Sequence, residues 1–192
     1  MDEQKKSGSL ITLVKDHPVR GWRSHWLLIV VTVLMYATDF GTKEMALRVL
    51  PMDRWVPVIG SWLRLQLLFN SGAAFSMGTS LTVVFAGLGL VALIVLVVIV
   101  APRADGRLQN VVTGLLIAGV AGNLTDRIFR PDRFSGGTGA FHGSVIDWIG
   151  LKYFAVFNVA DMCITAAAVI IVLWLLRSPA RQPGQDTAEP SA

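Results

Sequence analysis

Four runs of about 20 largely apolar residues are the strongest constraint on what this sequence can fold into. A helix of about 20 residues crosses the ~30 Å hydrocarbon core of a bilayer. The runs cover residues 26–47, 74–101, 108–128 and 154–176, and charged residues make up only 16% of the chain. An average soluble domain has roughly 25% charged residues. The sequence therefore predicts an all-α membrane protein with four transmembrane helices.

The rest of the chain divides around these spans. Residues 1–25 are predicted to form a basic cytoplasmic tail, residues 26–177 the membrane domain, and residues 178–192 a disordered cytoplasmic tail. The loops are residues 48–73 and 129–153. In the first loop, Leu63, Leu65 and Leu67 alternate with polar residues, which predicts a half-buried strand. The second loop is glycine-rich between Phe134 and His142.

The orientation in the membrane follows from the basic residues. An even number of spans puts both termini on one side, and that side carries nine Lys and Arg against eight opposite. This count alone is close to a tie. The cluster that precedes the first span favours cytoplasmic termini; its members are Lys5, Lys6, Lys15, Arg20 and Arg23.

Several kinds of chemistry find no support in the sequence. Cys163 is the only cysteine, so an intramolecular disulfide and a cysteine-ligated metal are excluded. The three histidines form no HExxH pattern, and no GxSxG serine motif is present. No patterned basic face indicates nucleic-acid binding. We expect no metal and no cofactor.

The polar residues of the spans all fall at the same side of the bilayer. Successive spans alternate in direction, so the ends of spans one and three meet the starts of spans two and four. Ionisable residues inside a membrane are costly and are by default functional candidates. The converging residues are Asp39, Lys43, Asn70, Asn123, Asp126, Arg127, Asn158 and Asp161.

Spacing suggests roles for these residues. Asp39 and Lys43 stand four apart and can pair along one helix face. Asn123, Asp126 and Arg127 are interpreted as a second group whose members satisfy one another. In both cases a structural role is favoured, because buried charges are normally paired.

Two aspartates differ from the rest. Asp161 has no basic residue three or four positions away, and Asp147 lies in the loop among apolar neighbours. Two acids brought together can share one proton, and such a pair can activate water and protonate a leaving amine. The alternatives are a polar helix contact for Asp161, a plain loop position for Asp147, or an ion pathway.

The motifs, taken in order, resemble those of the lipoprotein signal peptidase family, the bacterial type II signal peptidases. Each motif is weak alone, but five in order within one four-span chain are specific. They are Asp39-Phe-Gly-Thr-Lys43, Asn70-Ser-Gly-Ala-Ala-Phe75, Gly122-Asn-Leu-Thr-Asp-Arg127, Val145-Ile-Asp147 and Phe157-Asn-Val-Ala-Asp161.

The resemblance implies a four-helix fold with a small extracytoplasmic β-sheet and a loop cradle for substrate. With a peptide as substrate, we expect the strand from Leu63 to offer main-chain hydrogen bonds to it in an extended conformation. It implies an aspartyl endopeptidase of the bacterial inner membrane that cuts prolipoproteins just before the diacylglyceryl-modified cysteine, close to the outer leaflet. Asp147 and Asp161 would be the catalytic pair. Asn70, Asn123, Arg127 and Asn158 would line the site, and Asp39, Lys43, Asp126 and Gly122 would support it. We expect the enzyme to work as a monomer among membrane lipids.

Two other functions fit intramembrane carboxylates. A small proton- or ion-coupled transporter would use them to carry ions, but it predicts internal repeats, and the four spans have unrelated polar patterns. A non-catalytic chaperone for lipoproteins would bind lipopeptide without cutting it.

Overall fold

Four helices long and apolar enough to cross a membrane make up most of the described residues, as predicted. The computed structural model describes residues 25–52, 54–72, 80–130 and 140–177. The helices are α1 (Trp26–Val49), α2 (Ser80–Val95), α3 (Arg107–Phe129) and α4 (Val159–Arg177). A π-helical turn, Leu96–Val100, and a 3-10 turn, Ala101–Arg103, continue α2. The two predicted tails lie outside the described residues, apart from residue 25, as do residues 74–79 of the predicted second span.

The fourth helix begins at Val159, so the predicted start at Phe154 is wrong. The residues before it form a turn, in which Tyr153 has a φ of 66°. Phe157 is then paired with Ile149 by backbone hydrogen bonds in both directions, of 2.9 and 3.0 Å. These bonds hold Phe157 extended and exclude a helix. Hydropathy did not reveal this, because the turn residues are as apolar as the helix that follows.

Helix α3 is the centre of the bundle. Half of its most apolar window is buried inside the protein, against 6% for the second span. Small residues allow the neighbours to approach closely, as is common between membrane helices. A Cβ on Gly114 would lie 2.9 Å from the Leu28 carbonyl of α1, and one on Gly119 would lie 2.6 Å from the Ala160 carbonyl of α4.

A three-stranded antiparallel sheet stands at one end of the bundle. Its order is β1 (Val56–Ile59), β2 (Leu63–Asn70) and β3 (Val145–Leu151), so the predicted strand from Leu63 is confirmed as β2. The register between β2 and β3 shifts between Leu65 and Leu68, which marks a bulge. Ala46 of α1, Leu67 of β2 and Ile146 of β3 form a buried cluster that fixes the sheet to the bundle.

Candidate active site

The residues with intramembrane polar side chains meet at the sheet end of the bundle. Helices α1 and α3 end there, α4 begins there, and β2 and β3 supply one residue each. Every candidate named from the sequence makes a contact in this region, although their partners differ in places from the predicted ones. The contacts divide into a pair of aspartates bridged by amides and a buried ion cluster behind them.

Asp147 lies on β3 opposite Leu68, directly beside the bulge in β2. Its side chain is 1% exposed. The Asn70 amide donates to Asp147 Oδ2 at 2.9 Å, and the Asn158 amide donates to Oδ1 at 2.6 Å. Bulges often redirect a side chain next to an active site. Here the bulge lies between Leu65 and Leu68 of β2. Asn70, at the end of the same strand, donates to the Asp147 carboxylate.

Asp161 and Asn158 form a reciprocal cap at the start of α4. The Asn158 Oδ1 accepts from the Asp161 backbone N–H at 3.0 Å, and Asp161 Oδ2 accepts from the Asn158 backbone N–H at 3.2 Å. This is the capping box known from helix N-termini, and a carboxylate there also interacts favourably with the helix dipole. The Asn-x-x-Asp spacing in the sequence was the signal for this cap. The sequence interpretation missed it, because it placed both residues inside the fourth span.

Asn158 also links the two aspartates. Its side-chain amide contacts Asp147, and its backbone N–H contacts Asp161. Asn123 completes the link, because it donates to Asp161 Oδ1 at 2.8 Å and accepts from the Asn158 amide at 3.1 Å. Burial raises the pKa of Asp147 to about 6; the charge of Asp161 raises it further, while the hydrogen bonds from Asn70 and Asn158 oppose the shift.

Lys43 is the centre of the ion cluster behind this pair. Its Nζ lies 2.7 Å from Asp39 Oδ2 and 2.8 Å from Asp126 Oδ2, and it donates to Asn123 Oδ1 at 3.1 Å. All three charged groups are at most 2% exposed. The predicted Asp39–Lys43 pair is therefore present. Because Asn123 also donates to Asp161, this amide connects the ion cluster to the aspartate pair.

Asp39 also holds α4 in place. Its Oδ1 accepts from the Ala160 backbone N–H at 2.8 Å. The first N–H groups of a helix have no partner within the helix, so a buried start needs an acceptor from elsewhere. A carboxylate of α1 thus fixes the start of the helix that carries Asp161.

The ion-pair partners of Asp126 differ from the predicted grouping with Arg127, although the two charges do interact. Asp126 pairs instead with Lys43 and with Arg130, whose Nε lies 2.5 Å from Asp126 Oδ1. Residues four apart share a helix face, whereas neighbouring residues do not. Arg130 also bonds Glu44 of α1 at 2.9 Å. The sequence interpretation missed this residue, although the spacing from Asp126 to Arg130 was the available signal.

Arg127 instead faces the aspartate pair. Its guanidinium lies 6.0 Å from the Phe85 ring, and its one hydrogen bond among the described contacts is a long one to the Asn123 carbonyl, 3.5 Å. Its charge interacts with those of Asp147, Asp126 and Asp161. A cation beside two carboxylates can stabilise negative charge that develops during a reaction.

Gly122 lets α1, α3 and α4 meet behind the aspartate pair. A Cβ at this position would lie 2.5 Å from Asp39 Oδ2 and 3.2 Å from the Ala160 Cβ. Lys43 holds that oxygen in place, so it cannot move away without loss of the ion pair. The site therefore depends on the absence of a side chain here.

We expect Gly122→Ala to destabilise the protein by about 1–3 kcal/mol, the usual cost of overpacking. Gly87→Ala is the matched control, because a Cβ at Gly87 meets nothing within 4 Å, and alanine is the better helix former by roughly 0.5–1 kcal/mol. Thermal unfolding of the two variants in the same detergent measures the difference. Equal stability of the two variants would contradict the close approach of the helices.

Metal ligation finds no support within the described ranges. No group of three or more His, Cys, Asp or Glu residues there is arranged to hold a metal ion. What the arrangement does provide is one buried carboxyl with a raised pKa and one half-buried carboxyl, joined by amides. Such pairs divide the roles of acid and base.

Two solved structures that share this fold are described as bacterial membrane enzymes. One, determined by the in meso method at 2.3 Å resolution, aligns with a TM-score of 0.67 at 24% identity and covers 82% of this chain and 93% of its own. A second, at 1.9 Å, aligns with a TM-score of 0.66 at 25% identity and covers 78% and 92%. The predicted helices and sheet are those of a known membrane fold.

Curated relatives cover most of the chain. A lipoprotein signal peptidase of Streptomyces coelicolor is 37% identical over 82% of this chain and 74% of its own length. The enzyme of the same name from Mycobacterium avium is 37% identical over 84% of each. The family model described as "Signal peptidase (SPase) II" matches residues 31–177, which include every candidate site residue. The chain therefore belongs to the signal peptidase II family, a family of multi-pass bacterial membrane proteases, as the sequence motifs had indicated.

Proposed function

We propose that this signal peptidase II is an aspartyl endopeptidase in which Asp147 and Asp161 are the catalytic pair, and that it cuts prolipoproteins just before the diacylglyceryl-modified cysteine. The observation that carries the proposal is the link through Asn158, which contacts both carboxylates, together with the raised pKa of Asp147. The names of the relatives support the substrate class. Nothing in the comparisons supports the transporter alternative.

The two aspartates then have different roles. We assign the proton to Asp147, which is the more buried and has the raised pKa, and the role of base to the half-buried Asp161. Water attacks the scissile carbonyl carbon as Asp161 accepts a proton from it, and Asp147 protonates the carbonyl oxygen. In the second step the C–N bond breaks as Asp161 donates its proton to the amine nitrogen, and the carbonyl re-forms as a hydroxyl proton of the intermediate returns to Asp147. Arg127 stabilises the negative charge that is left on Asp147 once its proton has moved to the carbonyl oxygen.

The sheet is the proposed binding surface for the peptide. β1 pairs only with residues Leu63 to Leu65 of β2, so residues 66–70 keep one edge that pairs with no strand among the described residues. We therefore propose that residues 66–70, and not the whole strand from Leu63, offer main-chain hydrogen bonds to the peptide. An extended peptide added at this edge runs toward Asn70, beside Asp147.

The proposed membrane placement puts the site near the outer leaflet, with both termini in the cytoplasm and the enzyme active as a monomer. The diacylglyceryl group stays in the bilayer and contributes ~0.8 kcal/mol per buried CH₂. The protein then has to orient only the peptide next to the cysteine.

Cleavage of matched peptides tests the substrate class. With the purified protein in detergent, we expect cleavage just before the cysteine. The kcat/KM should be at least about tenfold higher for the diacylglyceryl peptide than for the same peptide without the lipid, which is equivalent to ~1.4 kcal/mol. Equal rates for the two peptides would contradict recognition through lipid. Binding of the lipopeptide without release of a fragment would indicate the chaperone function.

The raised pKa of Asp147 predicts the pH dependence. A proton held on Asp147 is lost as pH rises, so kcat/KM, which reports the free enzyme, should fall above an apparent pKa of about 6. The Asn70 amide favours the ionised form. Asn70→Ala should therefore move this descending limb to higher pH, while Asn110→Ala, at the far end of α3, should leave it in place. A shift of the limb to lower pH in Asn70→Ala would contradict the assignment of the proton.

A further inference from the structure

A cavity of about 320 Å³ lies at the end of the bundle opposite the aspartates. It is enclosed by the end of the second span, the first turns of α3 and the last turns of α4. Its volume is at the lower end of the ~300–1,000 Å³ range of small-molecule sites. Most of its walls are aliphatic, formed by Ile99, Val100, Leu108, Val112, Ile170 and Ile171.

Pro102 accounts for the irregular end of the second span at this cavity. A proline inside a helix lacks the N–H donor, and its ring collides with the carbonyl four residues earlier. The helix responds over Leu96–Val100 by widening to a π turn and over Ala101–Arg103 by tightening to a 3-10 turn. Such irregular turns are often found at functional sites. The distortion gives the second span an irregular end where the cavity lies.

Basic residues surround the mouth of the cavity. Arg103 lines it, with one Nη donating to the Ile99 carbonyl on the same wall. Arg107 begins α3 and Arg177 ends α4 at the same end of the bundle. Asp105 is the one acid among the described residues of this end, so the net charge is positive.

The cavity also opens to the bilayer. Ile99, Leu108 and Trp174 are between 44% and 49% exposed, and all three lie in membrane-spanning helices or their first turn. An occupant therefore enters from the lipid. Trp174 stands near the end of its span, where tryptophan side chains commonly lie at the level of lipid headgroups.

We propose that this cavity binds one acyl chain of an anionic phospholipid, whose phosphate is held by Arg103. The aliphatic walls accept the chain, and the excess of arginine at the mouth matches a negative headgroup. Basic pockets between membrane helices bind anionic lipids in this way. The site is separate from the aspartate pair and takes a lipid that is not a substrate, so the proposal does not depend on the proposed peptidase chemistry.

Native mass spectrometry of the full-length chain in detergent tests the proposal. Phosphatidylglycerol and phosphatidylcholine with identical acyl chains are the probes. We expect one retained lipid, with phosphatidylglycerol preferred by about fivefold, and loss of the preference in Arg103→Gln. Arg48→Gln is the matched control, since Arg48 is an exposed arginine at the sheet end of α1.

A second pair of variants tests the cavity itself. Ile171→Trp fills the volume and should abolish retention of both lipids, whereas Leu88→Trp, on an exposed face of α2, should not. Retained preference in Arg103→Gln, or an equal loss in Arg48→Gln, would overturn the proposal in favour of diffuse surface charge. If Ile171→Trp fails to fold, the arginine pair alone decides the outcome.

Discussion

Asp147→Asn and Asp161→Asn should each lower kcat/KM for the diacylglyceryl peptide by at least about 10³-fold, within the range expected when a general acid or base is removed. Asparagine keeps the size of the side chain but cannot take up or give a proton at neutral pH. Loss of either carboxyl therefore stops the transfer that the pair performs. A coupled cleavage assay with purified variants gives the rates directly.

The fold should survive both changes. The Asp147 carboxyl is buried and has a raised pKa, so a neutral side chain removes an unfavourable buried charge. The sign follows from linkage: an acid with a raised native pKa favours folding below its unfolded pKa and loses that contribution as pH rises toward about 6. At neutral pH, Asp147→Asn should thus melt at or above the wild-type temperature.

Asp105→Asn is the control for these two variants, because Asp105 is an exposed aspartate at the opposite end of the bundle. Its cleavage rate should stay within a factor of about two of the wild type, as usual for surface substitutions. Full activity in either Asp147→Asn or Asp161→Asn would contradict the proposed pair. Loss of activity together with loss of folding would assign the affected aspartate to structure instead.

Lys43→Met should lower the free energy of unfolding by about 3–5 kcal/mol, the usual cost of breaking a buried ion pair by removing one partner. The ammonium is shared by Asp39, Asp126 and Asn123. Among the described contacts, Asp39 then keeps the Ala160 N–H, and Asp126 keeps Arg130 and the Ile146 N–H. Denaturant unfolding in a fixed detergent measures the loss.

The control and the rescue separate charge from packing. Lys152→Met removes a lysine that lies on the rings of Trp62 and Tyr153, and should cost about 1 kcal/mol or less. Adding Asp39→Asn to Lys43→Met removes one uncompensated charge and should recover part of the stability. A single variant Lys43→Met as stable as Lys152→Met would show that the cluster does not hold the helices together.

The positions of single residues show how far sequence reasoning reached. Parity of the spans placed Asp39, Asn123 and Asp161 in one leaflet, and the structure brings them to one end of the bundle. The partner predicted for Asp126 was Arg127, whereas the structure pairs Asp126 with Arg130. The choice between the two arginines depends on which face of α3 meets Lys43. The predicted start of α4 was wrong as well, since a backbone bridge to Ile149 holds Phe157 in an extended conformation.

The sequence by itself determined that the chain has four membrane spans, with the carboxylates of these spans toward the same end. Hydropathy, span length and alternation of direction are properties of consecutive residues, and they can be evaluated without a fold. Only the tertiary structure decided that one lysine serves two carboxylates and an amide from two helices, and that Asn158 joins Asp147 to Asp161. Such contacts depend on helix rotation and on the strand register set by a bulge. Packing of distant segments fixes both, and no local pattern records it.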